Sequence, residues 1–542
     1  MENSNTQSQL MSILKSLDIP KTICLVMIAI VTLFLSFYNL GGYSFWRTDE
    51  VTHVQVMTEM VHDGHWLSPT VGGVGYFNKP PLKMWLSALI VKFFGENNFN
   101  YRFLDGVCGS AIILLTMLFA FELFASARVA ILTSLCLLSS FSFFFLEHGS
   151  RFAVQDTAHL FLILMSLRFI WRALMILGGL PSLSSEPSPR SILKPLIIAG
   201  FFSGCAIMVK SFIGLFPYFV FIATAISDKK IATALLQKNS IKAVLISLFI
   251  ALAIPAVYFI PHFLFSLSAF NVVVFDEIYN RVSEGIHNRE NIAFYFQQIF
   301  FERNIIAPEA LALSLLSIPL LRKSMAGLAL RFCSIWGIAT VLIFTAIPSR
   351  LPWYITPALP GLALLIGATL DTVLRVTPKV ISVPIFLISI GSIALGLERN
   401  VQTLFTQSRI ISADRISSAV REFEKNNGGS ERLSAAVESG LALGRKEYLY
   451  YYFLKPESLD ASEILKGIAE KKYQLLFVSD VLYRKIAEVN PPTSYIVLKP
   501  SLGRKRWMYI LSYVPEFAPY CKKAMVGCID GATTPGMLNT SQ

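Results

Sequence analysis

Long apolar runs separated by short polar breaks dominate the chain between residues 22 and 397. A helix needs about 17–25 apolar residues to cross a bilayer core. Runs of that kind lie at 22–40, 104–124, 128–147, 153–174, 194–209, 211–227, 242–267, 306–321, 327–347, 351–373 and 380–397. They predict eleven spanning helices, within a range of about 11–13. The pair 194–209 and 211–227 is interrupted only at Lys210 and Ser211. The first run follows about twenty mostly polar residues and has no small-residue cleavage site, so it is not expected to be a cleaved signal.

Three stretches break this rhythm and are expected to lie outside the bilayer. Residues 41–103 form a long first external loop, and 268–305 form a second, polar and aromatic one. In the first, Val51, Val54, Met57 and Val61 recur at helical spacing behind Asp49-Glu50. That pattern predicts an amphipathic helix on the membrane surface, with Asp49 placed to cap it. Pro80-Pro81 then starts a second surface helix near 82–94. Residues 400–542 read as a soluble domain. Helices are expected at 415–426 and 458–471, and strands at 474–479, 494–498 and 507–513. The fold class is therefore mainly α: a polytopic membrane helical bundle with a small C-terminal periplasmic α/β domain. The expected organisation is a cytoplasmic N-terminus at 1–21, a transmembrane domain at 22–399 and a periplasmic domain at 400–542. The stretch 178–193 is a Pro/Ser/Gly-rich cytoplasmic linker, and no internal repeat is visible.

Composition agrees with that class. Of 542 residues, 54% are hydrophobic and 15% charged, against about 25% charged in soluble domains. The formal net charge of +12 would point to nucleic acid in a soluble protein. Here the basic residues fall in alternate connections. With the N-terminus inside, they are Lys15 and Lys21; Arg128; Arg172, Arg190 and Lys194; Lys229, Lys230, Lys238 and Lys242; Arg322, Lys323 and Arg331; and Arg375 and Lys379. Positive-inside orientation explains most of the excess, so nucleic acid is set aside.

The charges that this rule leaves over carry the chemistry. They are Asp49, Glu50, Lys79 and Arg102 in the first loop, Arg151 with Asp156, Lys210, Arg350, and Arg281, His287 and Arg289 in the second loop. Ionisable groups at membrane depth are costly and are functional candidates by default. Converging on one face, they would build a cavity suited to a phosphate, with a carboxylate to serve as base or to orient an acceptor hydroxyl. The plainer reading is that Lys and Arg at helix ends snorkel to headgroups, and it is kept for Arg102, Arg281 and Arg303. For Asp156 the plainer reading is an internal ion pair. His62 and His65 lack a third ligand in the sequence, so no metal is assigned to them. Five cysteines lie in apolar runs, while Cys521 and Cys528 stand close together near the end. A disulfide between those two stays open if that end is extracytoplasmic.

Residues 46–94, with Asp49-Glu50, Asp63-Gly64 and Tyr76-Phe77-Asn78-Lys79-Pro80-Pro81, resemble the first periplasmic loop of bacterial polyprenyl-phosphate-sugar glycosyltransferases. These are the ArnT-like (aminoarabinose transferase-like) members of the protein O-mannosyltransferase superfamily, in the GT-C class. Arg151-Phe-Ala-Val-Gln-Asp156 resembles that family's Arg…Asp turn. Met208-Val-Lys210-Ser211 resembles its Thr-Lys-Gly-Pro turn, and Arg350-Leu-Pro352-Trp353-Tyr354 its Lys-x-Pro-x-Tyr turn. The departures are Thr52 where the family often has Arg, Asn78 for a Glu that a metal site would use, Ser211 for Gly and Arg350 for Lys. The second-loop pair stands one residue apart, as His287 and Arg289.

The resemblance implies a glycosyltransferase that moves a sugar from undecaprenyl phosphate to an acceptor at the outer face of the bacterial inner membrane. The anomeric carbon inverts and no nucleotide sugar is used. The acceptor is lipid A in the aminoarabinose branch, which would make the reaction a lipopolysaccharide modification, and a glycan or protein elsewhere. The implied catalytic residues are Asp49, Glu50 and Asp156. Tyr76, Lys79, Arg151, Lys210, His287, Arg289, Arg350 and Tyr354 are the implied substrate-binding residues. No cofactor is implied, and a divalent metal stays open. The expected partners are the lipid-phosphate donor, a lipid or glycan acceptor and membrane lipids. The alternatives are protein O-mannosyltransferase-like transfer, and a non-catalytic transporter of a lipid-linked sugar. Transporters favour midplane charges and repeated halves.

Overall fold

The computed structural model describes residues 19–45, 47–180, 191–280, 291–318, 327–406, 457–489, 496–498 and 508–513, with 422–423, 426, 434–438 and 516. The chain divides into two compact units, one of residues 1–40 with 76–407 and one of 41–75 with 408–542.

In the first unit, seven described helices are long and apolar enough to cross a membrane: Ile19–Phe37, Asn98–Phe124, Asp156–Gly178, Lys238–Phe265, Leu328–Ala346, Pro352–Val376 and Lys379–Thr406. Four shorter apolar helices join them: Ala127–Leu138, Leu193–Ile207, Phe212–Ile226 and Pro308–Ser317. Each of the eleven apolar runs of the sequence falls on one of these helices, and the chain is a multi-pass membrane protein. Of the most apolar window in Pro352–Val376, 89% is buried, against 22% in Ile19–Phe37. The former is the central helix, and the latter turns most of its surface outward. Small residues set the close crossings, as is usual where lipid supplies no hydrophobic drive between helices. Gly200 faces the backbone of Ser247, and Gly367 faces Val129 and Thr133.

The surface helix expected near 82–94 is Leu82–Phe94, starting behind the double proline. It carries a fully buried ion pair, Lys83 Nζ to Asp105 at 2.8 Å, onto Asn98–Phe124. Several basic residues of the expected cytoplasmic connections also pair with acids. Arg128 and Arg375 hold Asp371 at 3.1 and 2.6 Å, and Arg331 holds Asp228 at 2.9 Å. Arg102 does not snorkel. It is fully buried and donates to the Leu40 carbonyl at 3.1 Å. That carbonyl follows the end of the first span, so the guanidinium satisfies a backbone acceptor that water does not reach.

In the second unit, Arg47–His62 is helical as expected, with Asp49 and Glu50 in its first turn. It is not the one-sided surface helix that the spacing predicts. Val51, Val54, Met57 and Met60 are fully buried, and so nearly are Glu50, His53, Gln55 and Glu59. The buried Glu59 has polar partners inside the unit. Glu59 accepts from Thr70 Oγ1 at 2.6 Å, Gly72 N at 2.6 Å, Gly73 N at 3.3 Å and Gln55 Nε2 at 2.9 Å. It thereby pins a hairpin of β1 (Thr70–Val71) and β2 (Val74–Gly75). Gly72 and Gly73 have φ of 62° and 79°, the left-handed pair that a two-residue hairpin turn requires.

The C-terminal residues of this unit form a five-stranded sheet. Its strands are β3 (Ala435–Glu438), β4 (Glu457–Leu459), β5 (Leu475–Ser479), β6 (Ile496–Leu498) and β7 (Met508–Ser512). The order is β4-β3-β5-β7-β6, parallel through β5 and antiparallel beyond it. The helices Ala461–Ala469 and Asp480–Val489 place Ile464, Ile468, Leu482 and Ile486 in a core with Leu476, Val478 and Leu511. This is the small α/β fold expected after residue 400. The helix expected at 415–426, like Cys521 and Cys528, lies mostly or wholly outside the described residues.

Candidate functional site

Four turns of the first unit carry residues singled out by charge. Asp156 opens the helix Asp156–Gly178. Lys210 stands in the break between Leu193–Ile207 and the short helix at Phe212. Lys79 precedes Leu82–Phe94, and Arg350 lies between Ala346 and the helical turn starting at Pro352. Leu82 N donates to Met208 O at 3.1 Å, which docks the Lys79 turn two residues from Lys210. Leu82 also packs with Cys108, Ala158 and Val209, so the Asp156 and Lys210 turns share one apolar floor.

Above that floor the Lys210 ammonium pairs with Asp156 Oδ1. The second oxygen, Oδ2, faces His148 Nδ1 at 2.7 Å. Asp156 is 5% exposed and the Lys210 side chain 16%. The carboxylate is thus enclosed while the ammonium keeps a path to ligand. An ammonium carries three donors, and in such a partly dry setting its attraction for an anion is well above that in water. The Tyr354 ring centroid lies 5.8 Å from Lys210 Nζ, within cation–π reach.

The same arrangement brings in residues that the sequence reading passed over. The His148 ring stacks on Trp353, 4.3 Å between centroids at 15°. Trp353 is the neighbour of Tyr354, so His148 joins the Asp156 turn to the Arg350 turn. The second loop reaches that turn through Tyr295, whose hydroxyl donates to Leu351 O at 3.0 Å. Burial raises the pKa of that phenol and keeps it a donor. A signal for His148 was present: a histidine inside the aromatic run before Asp156 is costly unless it is used. Tyr295 had no such signal, because its partner is a backbone carbonyl 56 residues away. Beside Asp156, the Gln155 amide and His159 Nε2 are buried without a hydrogen-bond partner. Gln155 and His159 are successive-turn neighbours on one helix face.

The remaining candidates are placed as follows. Arg151 is fully buried and donates to Leu35 O at 2.6 Å and Tyr38 O at 2.9 Å, bracing the end of the first span. Arg350 donates through Nε and Nη2 to Thr345 O at 3.0 and 2.8 Å. Tyr76 and Lys79 are half-buried. In the second unit, Asp49 is exposed and Glu50 is buried. His287 and Arg289 lie outside the described residues.

Two places bear on a metal. Asn78 offers no carboxylate where a Glu would be needed. In the second unit, ligand atoms of Glu59, Asp63 and His65 lie within 4.8 Å of one another. The Glu59 carboxylate, however, already accepts four hydrogen bonds, three from the hairpin and one from Gln55, so its oxygens are committed to structure.

Known proteins resemble this chain in sequence and in fold. The dolichyl-phosphate-mannose-protein mannosyltransferase family matches residues 21–271, a little under half of the chain. An undecaprenyl phosphate-alpha-4-amino-4-deoxy-L-arabinose arabinosyl transferase of Shewanella sediminis is 24% identical over 355 residues, 63% of this chain and 59% of its own length. A similarly named transferase of Pseudomonas aeruginosa is 30% identical over 174 residues, 32% of this chain and 29% of its own length. The chain thus spans well under two thirds of these relatives. The crystal structure of ArnT from Cupriavidus metallidurans bound to undecaprenyl phosphate superposes with a TM-score of 0.64 at 17% identity. It covers 91% of this chain and 98% of that one. The chain is therefore similar in sequence to ArnT-like transferases and to the mannosyltransferase family model over part of its length, and it shares the fold of the Cupriavidus ArnT structure.

Proposed function

We propose that this chain is a glycosyltransferase that transfers a sugar from a polyprenyl-phosphate carrier to an acceptor hydroxyl or amine at the extracytoplasmic face of a bacterial plasma membrane. The observation that carries the reading is the Lys210 ammonium, held by Asp156 between the docked Lys79 turn and the Arg350–Tyr354 turn. Charge of this kind at membrane depth suits a lipid phosphate. The names of the arabinosyl transferase relatives, and the undecaprenyl phosphate in the Cupriavidus structure, support the carrier. The basic connections on the other side support the orientation.

In the proposed reaction the acceptor heteroatom attacks the anomeric carbon. The bond from that carbon to the phosphate oxygen breaks, and polyprenyl phosphate leaves with the electron pair. Direct displacement inverts the carbon. Lys210, with Lys79 and Arg350, would hold the phosphate and offset the charge that grows on it. Asp156 would fix Lys210, and Asp49 would take the acceptor proton, with Glu50 as its neighbour. Tyr76 and Tyr354 would line the donor's path, and Arg151 would hold the turn. His287 and Arg289 are retained as second-loop ligands of the donor.

Lipid A is the acceptor favoured by the arabinosyl transferase names, which would make the reaction a lipopolysaccharide modification. A protein acceptor is the second reading, favoured by the family description matched at 21–271. The test is transfer from labelled polyprenyl-phosphate sugar in proteoliposomes, followed by identification of the labelled acceptor. Asp49→Ala and Lys79→Ala are expected to abolish transfer in protein that still inserts. Full activity in both would refute the reading, and donor crossing the vesicle without product would replace it with transport.

A further inference from the structure

We propose that His148 is a positioning residue that sets the carboxylate of Asp156, and through it the Lys210 ammonium, for the leaving phosphate. The inference rests on the glycosyl-transfer reading above and adds to it a residue outside the matched motifs. Three observations meet on this side chain. Its Nδ1 lies 2.7 Å from Asp156 Oδ2 while Lys210 takes Oδ1, so the imidazole and the ammonium divide the two oxygens between them. One ring face lies flat on Trp353 at 4.3 Å, which fixes the imidazole plane from a turn some 200 residues away in the chain. Its backbone has φ 70°, a left-handed conformation that a non-glycine residue holds only where the surroundings impose it.

Together these give the carboxylate a single orientation. Freed of His148, Asp156 can rotate about its side-chain bonds and carry Lys210 with it. The ammonium then loses its alignment with the charge that grows on the phosphate as its bond to the anomeric carbon breaks. A loss of that kind lowers kcat more than it raises KM.

Two substitutions separate hydrogen bond from packing. In His148→Asn the amide nitrogen occupies the place of Nδ1, and asparagine tolerates the left-handed backbone. In His148→Phe the ring stack is kept and the donor is lost. Full-length protein is purified in detergent, and reductive methylation of Lys210 is read by peptide mass spectrometry at matched folded fraction. Lys210 is expected to be several times more reactive in His148→Phe than in wild type, with His148→Asn close to wild type. With the donor that the wild type turns over, His148→Phe is expected to lose on the order of tenfold or more in kcat, with KM within about threefold, and His148→Asn to recover most of it. Equal labelling in all three proteins would overturn the proposal. So would loss of activity in both variants in step with loss of folded protein. Absence of transfer by the wild type would remove the glycosyl-transfer reading, and the labelling would still decide whether His148 positions the pair.

Discussion

Asp156 and Lys210 are charged residues in turns bounded by apolar helices, and each is tolerable there because the other is present. Breaking a partly buried pair leaves one charge uncompensated. Asp156→Asn keeps the size of the side chain and removes its charge. It is expected to cut the transfer rate by about 100-fold or more, as loss of a preorganised electrostatic group commonly does. Initial rates with labelled donor check this. Lys210→Arg keeps the charge but spreads it over a planar fork that does not fit a site shaped for a point charge, so it is expected to stay well below wild type in the same assay. Arg151→Lys should behave differently. Its guanidinium donates to two backbone carbonyls, so the expected effect is a lower melting temperature with the donor KM unchanged. Both residues of the Asp156–Lys210 pair were legible in the sequence, because a charge in an apolar run is expensive enough to stand out. Arg151 stood out for the same reason, but sequence does not reveal that its partners are carbonyls at Leu35 and Tyr38.

At the scale of elements, Leu82–Phe94 is tied to Asn98–Phe124 by Lys83 and Asp105, both fully buried. Lys83→Met alone is expected to cost about 3–5 kcal/mol, because Asp105 is left charged without its partner. Lys83→Met with Asp105→Leu should recover much of that loss, since two apolar groups do not pay desolvation. Denaturation in detergent of the single and double variants measures the coupling. Gly367→Ala puts a Cβ 2.5 Å from Thr133 Oγ1 and 2.9 Å from Val129 O, and is expected to destabilise the central crossing by about 1–3 kcal/mol. The helix Ala461–Ala469 begins with a capping box, Asp460 accepting from Ser462 N and Glu463 N at 2.9 Å each. The Ser462 hydroxyl, donating to Asp460 Oδ1 at 2.7 Å, and then those backbone bonds hold the Asp460 pKa below that of an ordinary aspartate. The cap therefore stabilises the folded form above the unfolded carboxylate's pKa, and its contribution is lost as the pH falls through the lowered folded value. Asp460→Ala should remove that acid-side dependence in thermal melts recorded between neutral and acid pH. The double-proline helix start was readable locally. The ion pair was not, because Lys83 looks like any surface lysine until the partner helix covers it.

At the scale of the molecule, the distribution of basic residues is the basis of the proposed orientation. With native cysteines replaced, Thr406→Cys is expected to react with an impermeant maleimide added outside the cell, and Leu236→Cys only after permeabilisation. Both positions are exposed, so accessibility reports sidedness, and the reverse result would invert the proposed topology. The eleven apolar runs, the basic connections and the α/β character after residue 400 were determined by sequence alone, because bilayer thickness, membrane charge and strand alternation act on residues close together in the chain. The meeting of His148, Asp156, Lys210, Trp353 and Tyr354 was decided only by tertiary structure. Those residues come from three turns separated by many helices, and what joins them is a shared carboxylate and a ring stack. The covering of Arg47–His62 on both faces was decided there too, and its buried Glu59 is satisfied by a hairpin eleven to fourteen residues further on rather than by solvent. Sequence marks where burying a charge is costly, and the fold supplies the partner that makes it bearable.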